Sequence, residues 1–87
     1  MKYKLLIVDD ELPNLRLLER LFSSDYQCLT ASSGAEAISV LEQHDVAILI
    51  TDQRMPEMTG IELLEQSRVT SPGAKLLLLT ALSLIHI

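Results

Sequence analysis

Three apolar runs in this chain are continuous, and each stops at a polar or acidic residue. Leu5-Leu6-Ile7-Val8 ends at Asp9-Asp10, Val46-Ala47-Ile48-Leu49-Ile50-Thr51 ends at Asp52, and the run from Lys75 ends at Thr80. A strand wetted on one face alternates apolar with polar residues, whereas an unbroken run suits a strand covered on both faces, as in a parallel sheet. Parallel neighbours need long crossover connections, and the segments between these runs carry helical spacing.

Leu12, Leu15, Leu18, Leu21 and Phe22 recur at three- and four-residue steps, while Asn14, Arg16, Glu19 and Arg20 fall mainly on the other side. Pro13 is tolerated only in the first turn and so sets where this helix begins. Ser23-Ser24-Asp25 breaks it, and Tyr26 to Ala31 is expected to form a short strand. Ser33 with Glu36, and Thr59 with Glu62, have the spacing of capping boxes. The first opens a helix with Ala35, Ala37, Ile38, Val40 and Leu41 on its apolar side; the second opens one with Ile61, Leu63 and Leu64. Pro56 disfavours a helical Met55, so Asp52 to Met58 is expected to be a loop, and Ser71-Pro72-Gly73 a turn. The expected order is β-α-β-α-β-α-β, a three-layer α/β domain whose right-handed crossovers place helices on both faces of a parallel sheet.

Size and composition narrow what such a domain does. With 87 residues there is room for one small domain, and with 48% hydrophobic but only 3% aromatic residues its core must come from Leu, Ile, Val and Ala. The net charge of −5, from 12 acidic and 7 basic residues, argues against the broad basic face of a nucleic-acid binder. The single Cys28 cannot form an internal disulfide, and no Cys/His spacing suggests structural zinc. The apolar run after Met1-Lys2-Tyr3-Lys4 is too short for a signal-peptide core, and none approaches the roughly 20 residues of a membrane span. The expectation is a soluble, cytoplasmic domain. His44 and His86 are expected at the surface, and Met55 and Met58 in loop packing rather than as ligands.

In open α/β sheets, ligands bind beyond the carboxyl ends of the strands, where the strand order reverses. Asp9, Asp10, Asp52 and Thr80 all lie at such ends. One acid at a strand end is commonly just a solvated carboxylate. Three held together repel, and each tends to take up a proton unless a cation sits among them or one is chemically converted. A hard divalent ion such as Mg²⁺ suits such an all-oxygen site. Glu11, beside the pair, either orients the loop or is merely solvated.

At these residues the chain resembles the receiver domain of two-component response regulators, a flavodoxin-like (CheY-like) family. Leu6-Ile7-Val8-Asp9-Asp10-Glu11 is similar to the family's first-strand signature. Asp52-Gln53-Arg54-Met55-Pro56-Glu57-Met58-Thr59-Gly60 is similar to the loop around its phosphorylated aspartate, and Thr80-Ala81 to its hydroxyl switch position. The resemblance implies that Asp52 accepts a phosphoryl group from the phosphohistidine of a sensor histidine kinase or phosphotransfer protein. It implies that Asp10 ligates Mg²⁺ directly, Asp9 helps through water, Asp52 and the backbone carbonyl of Arg54 complete the metal set, and Thr80 contacts the phosphoryl group. It also implies a protein that is a phosphorylated relay component rather than an enzyme, with an effector domain beyond its C-terminus as output.

Receiver domains continue after the fourth strand with a helix, a fifth strand ending in a lysine, and a last helix. No Lys follows Lys75 here, and Leu82-Ser83-Leu84-Ile85-His86-Ile87 resembles a translated sequencing adapter instead. The expectation is therefore an incomplete receiver over residues 1–81 with a non-native tail at 82–87, lacking the last strand and last two helices. That leaves the fourth strand as an open edge, which invites pairing with another chain. Two rival readings are a phosphorylation-independent binding module or non-functional fragment, and a phosphotransferase or phosphatase with an aspartyl-phosphate intermediate. The latter class usually carries a second Asp two residues after the first, where this chain has Arg54.

Overall fold

The computed structural model describes residues 2–52, 58–70, 73, 75–80 and 83–86. Its elements run β1 (Lys4–Val8), α1 (Leu12–Phe22), β2 (Gln27–Ala31), α2 (Gly34–Gln43), β3 (Val46–Asp52), α3 (Gly60–Thr70), β4 (Lys75–Thr80) and β5 (Ser83–His86). They form one sheet in the order β2-β1-β3-β4-β5. The first four strands are mutually parallel, as the continuous apolar runs require.

Both faces of β1 are buried, and its residues divide between two cores. Leu6 and Val8 join Ala31, Ala37, Leu41, Val46, Leu49 and Leu63 under α2 and α3. Leu5 and Ile7 join Leu15 and Ile50 under α1, with Leu18, Phe22, Tyr26 and Cys28 at its margin. The period-two alternation of a strand is therefore present in β1 but invisible in its sequence, because both sets of side chains are apolar. Burial of each such Leu or Ile contributes about 1.5–3 kcal/mol.

The helix ends follow their signals unevenly. Thr59 and Glu62 make the full reciprocal box: Glu62 N–H donates to Thr59 Oγ1 at 3.1 Å, and Thr59 N–H donates to Glu62 Oε1 at 3.0 Å. This holds the Glu62 carboxyl below its ordinary value. At α2 only half the box forms, with Glu36 N–H donating to Ser33 Oγ at 3.1 Å. The Glu36 carboxylate instead accepts from Ser32 Oγ at 3.0 Å. Pro13 lies in the first turn of α1, which has no side-chain cap.

The apolar stripe of α1 is narrower than its spacing suggests. Leu15 is buried and Leu18 and Phe22 are half-buried, but Leu12 and Leu21 are 55% and 60% exposed. Leu15, Leu18 and Phe22 are the α1 residues that join the cluster with Leu5, Ile7 and Ile50 of the strands. Ile61 in α3 and Ala35 in α2 are likewise exposed, at the margin of their helices' buried faces.

A larger correction concerns the edge at β4. Rather than leaving β4 open, Ser83–His86 lies along it antiparallel, with Leu78 opposite Ile85 and Thr80 opposite Ser83. The outer backbone groups of an edge strand seek partners, and Leu84-Ile85 supplies apolar residues that tolerate a strand. His86 therefore sits within a strand, opposite Leu77. Of the expected turn, Gly73 is in a turn and Ser71 and Pro72 lie outside the described residues.

Candidate functional site

The strand order reverses between β1 and β3: the chain moves outward to β2 on one side and to β4 on the other. A crevice forms at the carboxyl ends of such a pair, because the flanking helices depart to opposite faces. Val8 is paired with Thr51 at the end of this ladder, so Asp9 and Asp52 follow directly at the same edge. The acidic groups are thus delivered by backbone register.

Carboxylate oxygens of Asp9, Asp10 and Asp52 lie within 4.8 Å of one another. Their settings differ. Asp9 is 2% exposed, Asp10 is exposed and Asp52 is half-buried. Asp9 is fixed at both ends: its N–H donates to the Ala31 carbonyl at 3.1 Å, and its Oδ1 accepts from Glu11 N–H at 2.9 Å. Burial pushes the Asp9 carboxyl up from its ordinary value; the Glu11 N–H and the Asn14 side chain oppose this, and Asp52 and Asp10 add to it. Under β3's end, Thr51 is fully buried and its hydroxyl donates to the Asp52 carbonyl at 3.1 Å.

The donor set fits a hard divalent cation. It is all oxygen, and burial of Asp9, with the repulsion of Asp52 and Asp10 added to it, raises the Asp9 carboxyl. A cation among them would offset both costs, whereas a soft metal would find no thiolate or imidazole in the group.

Of the residues singled out from the sequence, Asp9, Asp10 and Asp52 come together. The backbone of Thr80 lies at the same edge, one residue past Leu79, which is paired with Asp52. Arg54 and Met55 lie outside the described residues. Sequence reasoning left the role of Glu11 open and missed Asn14. Glu11 orients the site, through its backbone N–H rather than its carboxylate. Asn14, assigned to the polar side of α1, hydrogen-bonds Asp9 and donates to Glu11 Oε2 at 3.4 Å. Its position in the first turn of a helix that starts beside the acid pair was the available signal. The groove lined by Lys2, Arg16, Arg20, Tyr26 and Cys28 lies beside α1 and β2 and contains none of these acids.

Fold and site together define a flavodoxin-like α/β domain with an acidic switch-point centre. The family model for the response regulator receiver domain matches residues 5–85, and this chain belongs to that family. It is 44% identical over 78 residues to the transcriptional regulatory protein GlrR of Escherichia coli K12, a match covering 88% of this chain and 18% of that protein. It is 30% identical over 82 residues to sporulation initiation phosphotransferase F of Bacillus subtilis 168, covering 93% of this chain and 66% of that protein. A CheY-like response regulator receiver domain protein from Methanospirillum hungatei superposes with a TM-score of 0.89 at 26% identity, covering 95% of this chain and 67% of that one. The chain thus spans less than a fifth of GlrR. Among the described residues no helix is long and apolar enough to cross a membrane.

Proposed function

We propose that this domain accepts a phosphoryl group on Asp52 in a two-component phosphorelay, with a phosphohistidine of a sensor histidine kinase or phosphotransfer protein as donor. The observation that carries this is the gathering of three carboxylates within 4.8 Å at the β1–β3 crevice. An Asp52 oxygen attacks phosphorus, the P–N bond to the donor histidine breaks, and the electron pair leaves with the imidazole nitrogen. Asp52, at the end of β3, is half-buried rather than enclosed, as an acceptor that meets an incoming donor has to be.

Asp9, Asp10, Asp52 and the backbone carbonyl of Arg54 would hold Mg²⁺. When bound, that ion offsets the charge that donor and acceptor bring to the same place. Asp9, held by Glu11 N–H and Asn14, keeps its carboxylate aimed at the cluster. Thr80, at the end of the neighbouring strand, would donate its hydroxyl to a phosphoryl oxygen. The added charge, about −1.5 to −2 for a phosphorylated hydroxyl side chain, sets the scale of the switch. On this reading the domain is a relay component in the cytoplasm and not an enzyme with a turnover of its own. Its output partner would be a C-terminal effector domain in the full-length protein.

Beryllofluoride, a phosphoryl mimic, tests the reading. With Mg²⁺ present it should shift the amide signals of Asp52 and Thr80, and without Mg²⁺ it should not. No shift under either condition would favour a binding module that works without phosphorylation.

A further inference from the structure

We propose that the groove between α1 and β2 takes an extended acidic segment of a partner protein, which adds to the sheet as a strand along β2 and sets its carboxylates against Arg16 and Arg20. The proposal does not depend on the reading of Asp52. β2 stands at the end of the sheet, and among the described residues it pairs only with β1. Gln27 N–H donates to the Tyr3 carbonyl at 2.8 Å and the Ala31 carbonyl accepts from Asp9 N–H at 3.1 Å, so Gln27, Leu29 and Ala31 turn their backbone groups towards β1. Backbone groups alternate in direction along a strand, and those of Cys28 and Thr30 therefore point away from the sheet. Neither charge nor proline, the common protections of an edge, occurs in Gln27–Ala31.

The groove beside that edge has a volume of about 770 Å³, and Lys2, Arg16, Glu19 and Arg20 line it with Tyr26 and Cys28. It holds three of the seven Lys and Arg residues of a chain whose net charge is −5. Lys2 is tied down, its Nζ donating to the Ser23 carbonyl at 2.9 Å at the end of α1. Arg16 and Arg20 are exposed, and among the described residues their guanidinium groups take part in no hydrogen bond or ion pair. They stand one turn apart in α1, a rise of about 6 Å. Alternate residues of an extended strand are about 6.6 Å apart, so two carboxylates on one side of such a strand match the two guanidinium groups. A nucleic acid or a small phosphate would satisfy the arginines but leave the outward N–H and C=O groups of Cys28 and Thr30 to water, whereas an added strand uses both sets. Lys2 precedes β1 and Tyr26 precedes β2, so the groove lies towards the amino ends of these strands, away from the three acids that would repel such a segment.

The test uses a short end-capped peptide of alternating Val and Glu, with a Val and Lys peptide, single-stranded DNA and inorganic tripolyphosphate as comparisons. Affinity is read by fluorescence anisotropy and by competition, and the place of contact by amide shifts and hydrogen exchange. The acidic peptide should bind, shift and protect the amides of Cys28 and Thr30, and leave those of Asp52 and Thr80 unmoved. Arg16→Glu combined with Arg20→Glu should weaken it roughly tenfold without lowering the melting temperature. Thr30→Pro, which removes an outward N–H and no ladder bond, should abolish the protection at Cys28. If Thr30→Pro does not fold, exchange in the wild type decides: protection of Cys28 and Thr30 supports strand addition, and binding without it refutes it. No binding of the acidic peptide overturns the proposal, as does equal binding of the Val and Lys peptide. So does an affinity that the arginine variant leaves unchanged. DNA or tripolyphosphate binding more tightly than the peptide would make the groove a general anion site and overturn it too.

Discussion

Replacing Asp9 by Asn should stabilise the metal-free protein while removing its response to Mg²⁺. Asp9 is 2% exposed, and its carboxylate shares a 4.8 Å neighbourhood with those of Asp10 and Asp52. Two unit charges at such a separation repel by about 1 kcal/mol in water and about 3–4 kcal/mol at the effective dielectric of a protein surface. Burial, the largest cause of the raised Asp9 carboxyl, adds to this repulsion, and Asn keeps an oxygen to accept from Glu11 N–H while shedding the charge, so a net gain of about 1–3 kcal/mol is expected. A domain of this size has a total stability on the order of 4–13 kcal/mol, so the gain is a measurable share. In urea, with a slope near 1 kcal/mol/M, the midpoint should rise by about 1–3 M. The sign with pH follows from the raised Asp9 carboxyl. A carboxyl raised in the folded state contributes stability below its unfolded value of 3.8 and loses it as pH rises through the folded value. The advantage of Asn should therefore be full near neutral pH and vanish as Asp9 protonates in acid. Urea titrations followed by circular dichroism, with and without Mg²⁺ and at both pH extremes, give the comparison. An Asp9→Asn protein that is less stable than wild type without Mg²⁺, or that Mg²⁺ still stabilises equally, would refute the repulsion argument.

Two further outcomes test the scaffold. Leu6→Ala, at a site with no exposure in the core under α2 and α3, should lower the stability by about 2–5 kcal/mol in the same urea assay. Glu62 carries a lowered carboxyl through its bonds to Thr59, so its contribution is present above its ordinary value of 4.5 and lost as pH falls through the lowered folded value. Glu62→Gln should flatten that part of the stability profile, and an unchanged slope in acid would show that the box does not hold α3.

Much of this architecture was legible because each signal was local. The unbroken runs at Leu5–Val8 and Val46–Thr51 announced strands covered on two faces, and the acids that ended them were carried to one edge by parallel register. The same locality explains what was missed. The spacing of α1 marks Leu12 and Leu21 as apolar but does not say how wide a face the sheet will cover. The pairing of Ser83–His86 with β4 depends on an unfilled edge elsewhere in the fold, which no pattern inside those residues reports. Asn14 reaches Asp9 across the turn between β1 and α1, and Gly34 meets Met58 from another element altogether. Contacts of that kind come from packing, and periodicity within one segment is silent about them.

On the proposed function, Asp52 is the group that is chemically changed. Incubation of the wild type and of Asp52→Asn with acetyl phosphate and Mg²⁺, followed by intact-protein mass spectrometry, addresses it directly. The wild type should gain the mass of one phosphoryl group and lose the gain when Mg²⁺ is chelated beforehand, and Asp52→Asn should gain nothing. Equal modification of the two proteins, or modification of the wild type that is indifferent to Mg²⁺, would contradict the account.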